Sequence, residues 1–145
     1  MAFRGQYEHN LDSKDRITIP ARFRAAFADG VVLLQSLDPC VELYPTEGFE
    51  RMTALVKSEE GPMSTSGRLI QRRFHGQARD ETIDSAGRVR LPGHMTDPAG
   101  LGGVCVVVGV DDHLEVWHPD RWAEQLKRVD AEVERLMNEQ QAKAG

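Results

Sequence analysis

The chain carries one block twice. Asp12-Ser13-Lys14-Asp15-Arg16-Ile17-Thr18-Ile19-Pro20 returns as Asp84-Ser85-Ala86-Gly87-Arg88-Val89-Arg90-Leu91-Pro92, seventy-two residues later. Both copies read Asp-Ser-x-x-Arg, then an apolar–polar–apolar triplet, then proline. Further on, Leu37-Asp38-Pro39-Cys40-Val41-Glu42-Leu43-Tyr44 aligns with Val110-Asp111-Asp112-His113-Leu114-Glu115-Val116-Trp117 at an offset of seventy-three. A repeat of this length predicts two structurally equivalent units, so a loop built once is presented twice. A doubled arginine-bearing loop suits a ligand that itself repeats, and nucleic acid is the commonest of those.

Charge at first argues against such a ligand, because the 145 residues carry a net −5. Its distribution reverses that impression. Segments 1–30 and 61–100, which hold the two Asp-Ser-x-x-Arg blocks, carry +1 and +2, whereas 31–60 and 101–145 carry −4 each. Screening limits the reach of the acidic segments to about 10 Å, so one face can still attract a polyanion. The N-terminus lacks an apolar signal region, and the longest apolar run, Val104–Val108, is far too short to span a bilayer. A soluble, cytoplasmic protein is expected. Cys40 and Cys105 have no CxxC spacing and read as small apolar side chains in strands.

Periodicity places the elements. Arg16–Pro20 alternates as a half-buried strand does, and Pro20 suits the first turn of a helix over Ala21–Ala28. Val31–Leu34 and Val41–Tyr44 read as strands about a turn at Asp38-Pro39. Thr46 reads as the cap of an amphipathic helix carrying Phe49, Met52 and Leu55/Val56. Ser58–Gly67 reads as a connector and Arg68–His75 as a short basic helix. The second copy follows with strand Val89–Leu91, a helical turn, and strands Gly103–Val110 and His113–Trp117. Helix Asp120–Ala142 closes the chain, its stripe of Trp122, Leu126, Val129, Val133 and Leu136 or Met137 predicted to pack on the protein's own body, with a partner helix as the alternative.

In each loop the aspartate can accept backbone N–H bonds and fix the turn. The fourth loop position requires a left-handed backbone, which Gly87 supplies freely and Asp15 tolerates better than most residues. Arg16 and Arg88 follow where a strand begins, and a guanidinium there can offer paired donors to guanine O6/N7 or to phosphate. Equally, Asp12–Arg16 and Asp84–Arg88 can be local ion pairs that close two hairpins. Chemistry alone leaves the two readings even.

Residues 3–24 together with 84–92 resemble the bacterial MraZ family, as do the order of elements, the length and the duplicated Asp-x-x-x-Arg motif. Each half is similar to an AbrB/SpoVT-type, MazE-like swapped-hairpin unit. The resemblance implies an α+β fold: two tandem AbrB-like β-rich repeats with short helices in one compact body, plus a C-terminal amphipathic helix. The expected divisions are 1–57 (first repeat), 58–79 (connector with the basic helix), 80–119 (second repeat) and 120–145 (C-terminal helix). It also implies a sequence-specific DNA-binding transcriptional regulator, cytoplasmic and nucleoid-associated in a bacterium. Such a protein acts on short G-rich direct repeats in the promoter of the division and cell-wall gene cluster, as a ring-shaped homo-oligomer. Carried over residue by residue, Arg16 and Arg88 are the principal readers and Asp12 and Asp84 shape the loops. Lys14 is a backbone contact that its counterpart Ala86 cannot match, and Arg4 is either a phosphate contact or a surface charge. Asp15 departs from the family's usual glycine and sets a negative charge beside Arg16.

Other features point elsewhere less strongly. Arg68, Arg72, Arg73 and Arg79 with His75 form a basic stretch that reads as a solvated face, then as a DNA or inter-subunit contact. His9, His75, His94, His113 and His118 show no metal spacing, and Asp111-Asp112 reads as a turn, so no metal or cofactor is expected. No P-loop, GxGxxG or GxSxG occurs, so neither an enzyme nor a small-molecule substrate is expected. Two rivals remain: an AbrB/MazE-like antitoxin, against which a packed final helix counts, and a ring-forming scaffold whose arginines merely brace hairpins.

Overall fold

The computed structural model describes residues 2–57 and 59–144. Met1, Ser58 and Gly145, which begin the first predicted repeat, begin the predicted connector and end the predicted C-terminal segment, lie outside the described residues. Strands β1 (Phe3–Leu11), β2 (Arg16–Thr18), β3 (Val31–Gln35) and β4 (Cys40–Pro45) lead into helix α1 (Thr46–Leu55), with a 3₁₀ helix at Ala21–Phe27. Helix α2 (Thr65–Gln71) runs into a π-helical turn, Arg72–Gly76, then β5 (Arg79–Glu81), β6 (Arg88–Arg90), α3 (Gly93–Ala99), β7 (Gly103–Asp111), β8 (His113–Trp117) and α4 (Pro119–Ala144).

The duplication is written into the sheets. Six strands form one antiparallel sheet in the order β1-β7-β8-β4-β3-β5, and β2 pairs with β6 in a separate ribbon. Exchanging the repeats maps this order onto its own reverse. Each repeat's outer strand pairs with the other repeat, β1 with β7 and β5 with β3, so neither half completes its sheet alone. The register has a pseudo-twofold centre at two places. Ile17 faces its equivalent Val89, and Glu42 faces its equivalent Glu115.

Strand alternation splits the sheet's two faces. Phe3, Leu33, Val41, Leu43, Val107, Leu114 and Val116 join Ile17, Val89, Leu91, Phe23, Phe27 and Met95 in the main core, beneath the β2–β6 ribbon. The opposite face carries two smaller apolar clusters, Val32/Leu34/Tyr44/Phe49 and Cys40/Val108/Trp117. Polar Glu42, His113 and Glu115 lie on that same face, between them by alternation.

Three local expectations are corrected. Thr46 lies inside α1 rather than capping it, because β4 runs through Pro45 and that extended residue takes the cap position without a side-chain hydrogen bond. Helix α2 begins at Thr65, within the expected connector. There Ser64 Oγ accepts from Gly67 N (2.9 Å), and a Cβ on Gly67 would lie 2.2 Å from the Gly61 carbonyl. The largest difference is α4. Trp122 packs at a tilt against Trp117, ring centroids 5.5 Å apart, and its indole N–H reaches Gln6, but every described residue from Lys127 onward is exposed. The stripe Val129, Val133, Leu136 and Met137 is therefore uncovered. The sheet seats only the first turns of a helix about 39 Å long.

Candidate nucleic-acid interface

Both loops follow the same geometry. Asp12 Oδ1 accepts the backbone N–H groups of Lys14 and Arg16, each at 2.9 Å, and Asp84 Oδ1 accepts those of Ala86 (3.0 Å) and Arg88 (2.9 Å). The turns close with Asp15 N to Asp12 O and Gly87 N to Asp84 O, each at 3.0 Å. Asp15 (φ 59°) and Gly87 (φ 78°) take the left-handed conformation that the spacing requires. Gly87 has a second reason to be glycine. A Cβ there would lie 2.1 Å from Nε of Arg24, whose guanidinium also donates to the Ile19 carbonyl.

The loops are locked to each other. Ile19 N donates to Gly87 O and Leu91 N donates to Asp15 O, both at 2.8 Å. Arg16 Nε donates to Asp12 Oδ2 (2.8 Å) and Arg88 Nε to Asp84 Oδ2 (3.0 Å). Across the centre, Arg16 Nη1 lies 3.8 Å from Asp84 and Arg88 Nη1 lies 3.9 Å from Asp12. Backbone N–H donation from Arg16 and Arg88, joined by their guanidinium bonds, outweighs partial burial and holds both carboxyls below their ordinary value. The ion pairs of the bracing interpretation therefore exist. They hold Nε of each guanidinium in a hydrogen bond and set Nη1 within ion-pair distance of the other loop's carboxylate, in side chains that remain 28% and 35% exposed. A fork oriented from behind by a carboxylate is what bidentate recognition of a base or phosphate needs.

Lys14 is exposed on the first loop. Arg4 is not brought to this site, since it stands at the far end of β1, eight residues and about 26 Å of strand from Asp12. Two residues missed by the sequence reading border the loops. Arg90 pairs across the ribbon with Arg16, and Arg24 packs on Gly87. The i, i+2 spacing of Arg88 and Arg90 on one strand was the available signal for the first. In the basic stretch Arg68, Arg72, His75 and Arg79 are exposed, as a solvated face predicts, and only Arg73 is half-buried. Arg73 donates to the Gln35 carbonyl (2.5 Å), Arg68 to the Met63 carbonyl (2.6 Å) and Arg79 to Glu81 (2.9 Å).

On the opposite face of the sheet, His113 is not an ordinary surface histidine. Nδ1 lies 2.6 Å from Asp112, and Nε2 lies 3.1 Å from Glu115 and 3.6 Å from Glu42. Burial alone would lower the imidazole pKa. The hydrogen bonds to Glu115 and Asp112, with the charge of Glu42, outweigh it and raise the value to about 8.

Comparison with known proteins gives a consistent result. The family model "MraZ protein, putative antitoxin-like" matches residues 2–73 and again 74–143. A protein of Roseiflexus sp. (strain RS-1) named Transcriptional regulator MraZ is 38% identical over 130 residues, 89% of this chain and 90% of the relative. Relatives of the same name from Thermomicrobium roseum (36% over 133 residues, 90% and 91%) and Lactobacillus johnsonii (36% over 121 residues, 83% and 83%) are similar throughout.

Proposed function

The chain belongs to the MraZ family, and from that premise we propose that it is a DNA-binding transcription regulator that reads its operator with Arg16 and Arg88. Its relatives are named regulators rather than enzymes. The observation that carries the reading is the paired loop: two partly exposed guanidinium groups, each braced by its own aspartate and near the other's. Lys14 adds a phosphate contact on the first loop only. The operator is a set of short G-rich direct repeats in the promoter of the division and cell-wall gene cluster, and the protein is nucleoid-associated.

One good bidentate arginine–guanine contact discriminates by about 1–3 kcal/mol, too little for regulation by a single subunit. Several subunits in a ring gain by effective concentration on successive repeats. Direct repeats have translational order, which head-to-tail association matches better than a twofold dimer does. The uncovered stripe of α4 supports self-association. So does an open apolar groove of about 450 Å³ between α1 and α2, lined by Val56, Pro62, Ile70 and Phe74. The same uncovered helix also suits the antitoxin reading, in which it would hold a toxin instead of another subunit.

Fluorescence anisotropy on the protein's own upstream fragment, with scrambled DNA as control, tests the reading. Arg16→Ala and Arg88→Ala should each weaken specific binding at least tenfold and the double variant should abolish it, with assembly size unchanged by gel filtration. Normal binding by the double variant would return the arginines to a bracing role. A steep fall of wild-type affinity with salt is expected, and a monomer that binds its operator tightly would remove the ring.

A further inference from the structure

We propose that Glu42, His113 and Glu115 form a binding site for a divalent first-row metal ion of the zinc class, clipping the first repeat to the second. The three ligand atoms lie within 4.8 Å of one another, in side chains that are largely buried. Four-coordinate zinc holds nitrogen and oxygen at 2.0–2.2 Å, which sets neighbouring ligand atoms about 3.3–3.5 Å apart. From His113 Nε2, the two carboxylates stand at 3.1 and 3.6 Å. Two of the three separations are thus near the required length, and the third is within 4.8 Å.

The supporting groups are those a metal-bound histidine requires. A ligating imidazole donates its other N–H to a carboxylate, which fixes tautomer and orientation. Asp112 accepts at Nδ1, 2.6 Å away, leaving Nε2 directed at Glu42 and Glu115. Tyr44 stacks on the imidazole at 4.7 Å. The Trp117 indole N–H holds Oε1 of Glu115 at 2.9 Å, so its other oxygen, Oε2, faces His113. His113 and Glu115 are thus each held by a neighbour that is not itself a ligand, and the three ligands lie on two paired strands rather than a loop.

Electrostatics favours a second positive charge. Glu42 and Glu115 are directly opposed in the β4–β8 register, and like charges so placed repel. A divalent cation seated between them offsets that repulsion. One imidazole with two carboxylates suits zinc or manganese better than magnesium, which prefers oxygen alone. The fourth position would hold water.

The test uses the full chain, stripped with EDTA and titrated with Zn²⁺ by calorimetry, with Co²⁺ absorption as a second readout. Expected are one saturable site per chain, visible bands of low-symmetry nitrogen–oxygen Co²⁺, and a thermal midpoint that rises with free Zn²⁺. His113→Gln should abolish binding, Glu42→Gln should weaken it at least tenfold, and Asp112→Asn about 10–100-fold through the imidazole. His94→Gln should change nothing. Should His113→Gln not fold, Glu42→Gln and Asp112→Asn still decide, because both keep the imidazole. No saturable binding below millimolar Zn²⁺, or full binding by Glu42→Gln and Asp112→Asn, overturns the site and leaves His113 as a protonated bridge between two carboxylates.

Discussion

Two regions lie where the pseudo-twofold brings equivalent residues face to face, and duplication treats them in opposite ways. At the β2–β6 ribbon it duplicates an Asp–Arg pair. Each aspartate then meets its own arginine and the other's, and the four charges cancel by symmetry. At β4–β8 it duplicates a glutamate, which sets two negative charges opposite each other. Symmetry cannot repair that, so it is broken: His113 is the repeat equivalent of Cys40, and only one of the two carries a cation. A repeat can thus be copied unchanged where its charges are complementary, and must diverge where they are not.

The largest expected effect tests the second region. In metal-free protein, His113→Ala removes the cation beside two largely buried carboxylates, and stranding buried charge typically costs about 3–5 kcal/mol. The urea unfolding midpoint should fall accordingly. Because Glu42 then lacks its partner, Glu42→Leu in the same chain should recover most of the loss. No recovery would show that His113 acts through packing on Tyr44 instead.

Next is the asymmetry inside the first region. Gly87→Ala places a side chain at φ 78° and 2.1 Å from Arg24 Nε, at a cost of about 1–2 kcal/mol for the backbone alone. Asp15→Gly at the equivalent position should leave stability unchanged or raise it by less than about 1 kcal/mol. Equal effects would mean that the loops do not differ as their backbones indicate. Smaller still is Arg88→Ala, whose ion pair is partly exposed. Its stability loss should be under a third of that for His113→Ala, and on the proposed function its loss of DNA affinity should be the larger consequence.

Much of this was legible in the sequence. The repeat, the left-handed fourth loop position and the Asp-to-backbone bonds follow from local chemistry and occur as expected at Asp15, Gly87, Asp12 and Asp84. What was not legible depends on partners distant in the chain. Strand β1 went unassigned although Phe3, Tyr7 and Leu11 share one strand face at every fourth residue, because exposed residues and Gly5 dilute the pattern. The Glu42–His113–Glu115 cluster joins strands some seventy residues apart, which no spacing rule can find. The fate of α4 was equally hidden, since an apolar stripe specifies a face to be covered and not what covers it.

The smallest expected effect compares the two regions through pH. Asp12 titrates below its ordinary value of 3.8, chiefly because backbone N–H groups and Arg16 bond its ionised form. A carboxyl lowered in the folded state contributes stability that is complete above 3.8 and disappears as pH falls through the folded value. Asn at position 12 keeps an oxygen for the backbone donors but offers no charge to Arg16. Asp12→Asn should therefore be modestly less stable than the parent in urea at pH 6, and the difference should shrink as pH falls below 3.8. Asp84→Asn should behave alike, because its carboxyl is lowered by the same contacts from Arg88. If one variant keeps its deficit as pH falls below 3.8 and the other does not, the loops differ in their turns and not in their charges, and Asp15 is where that difference lies.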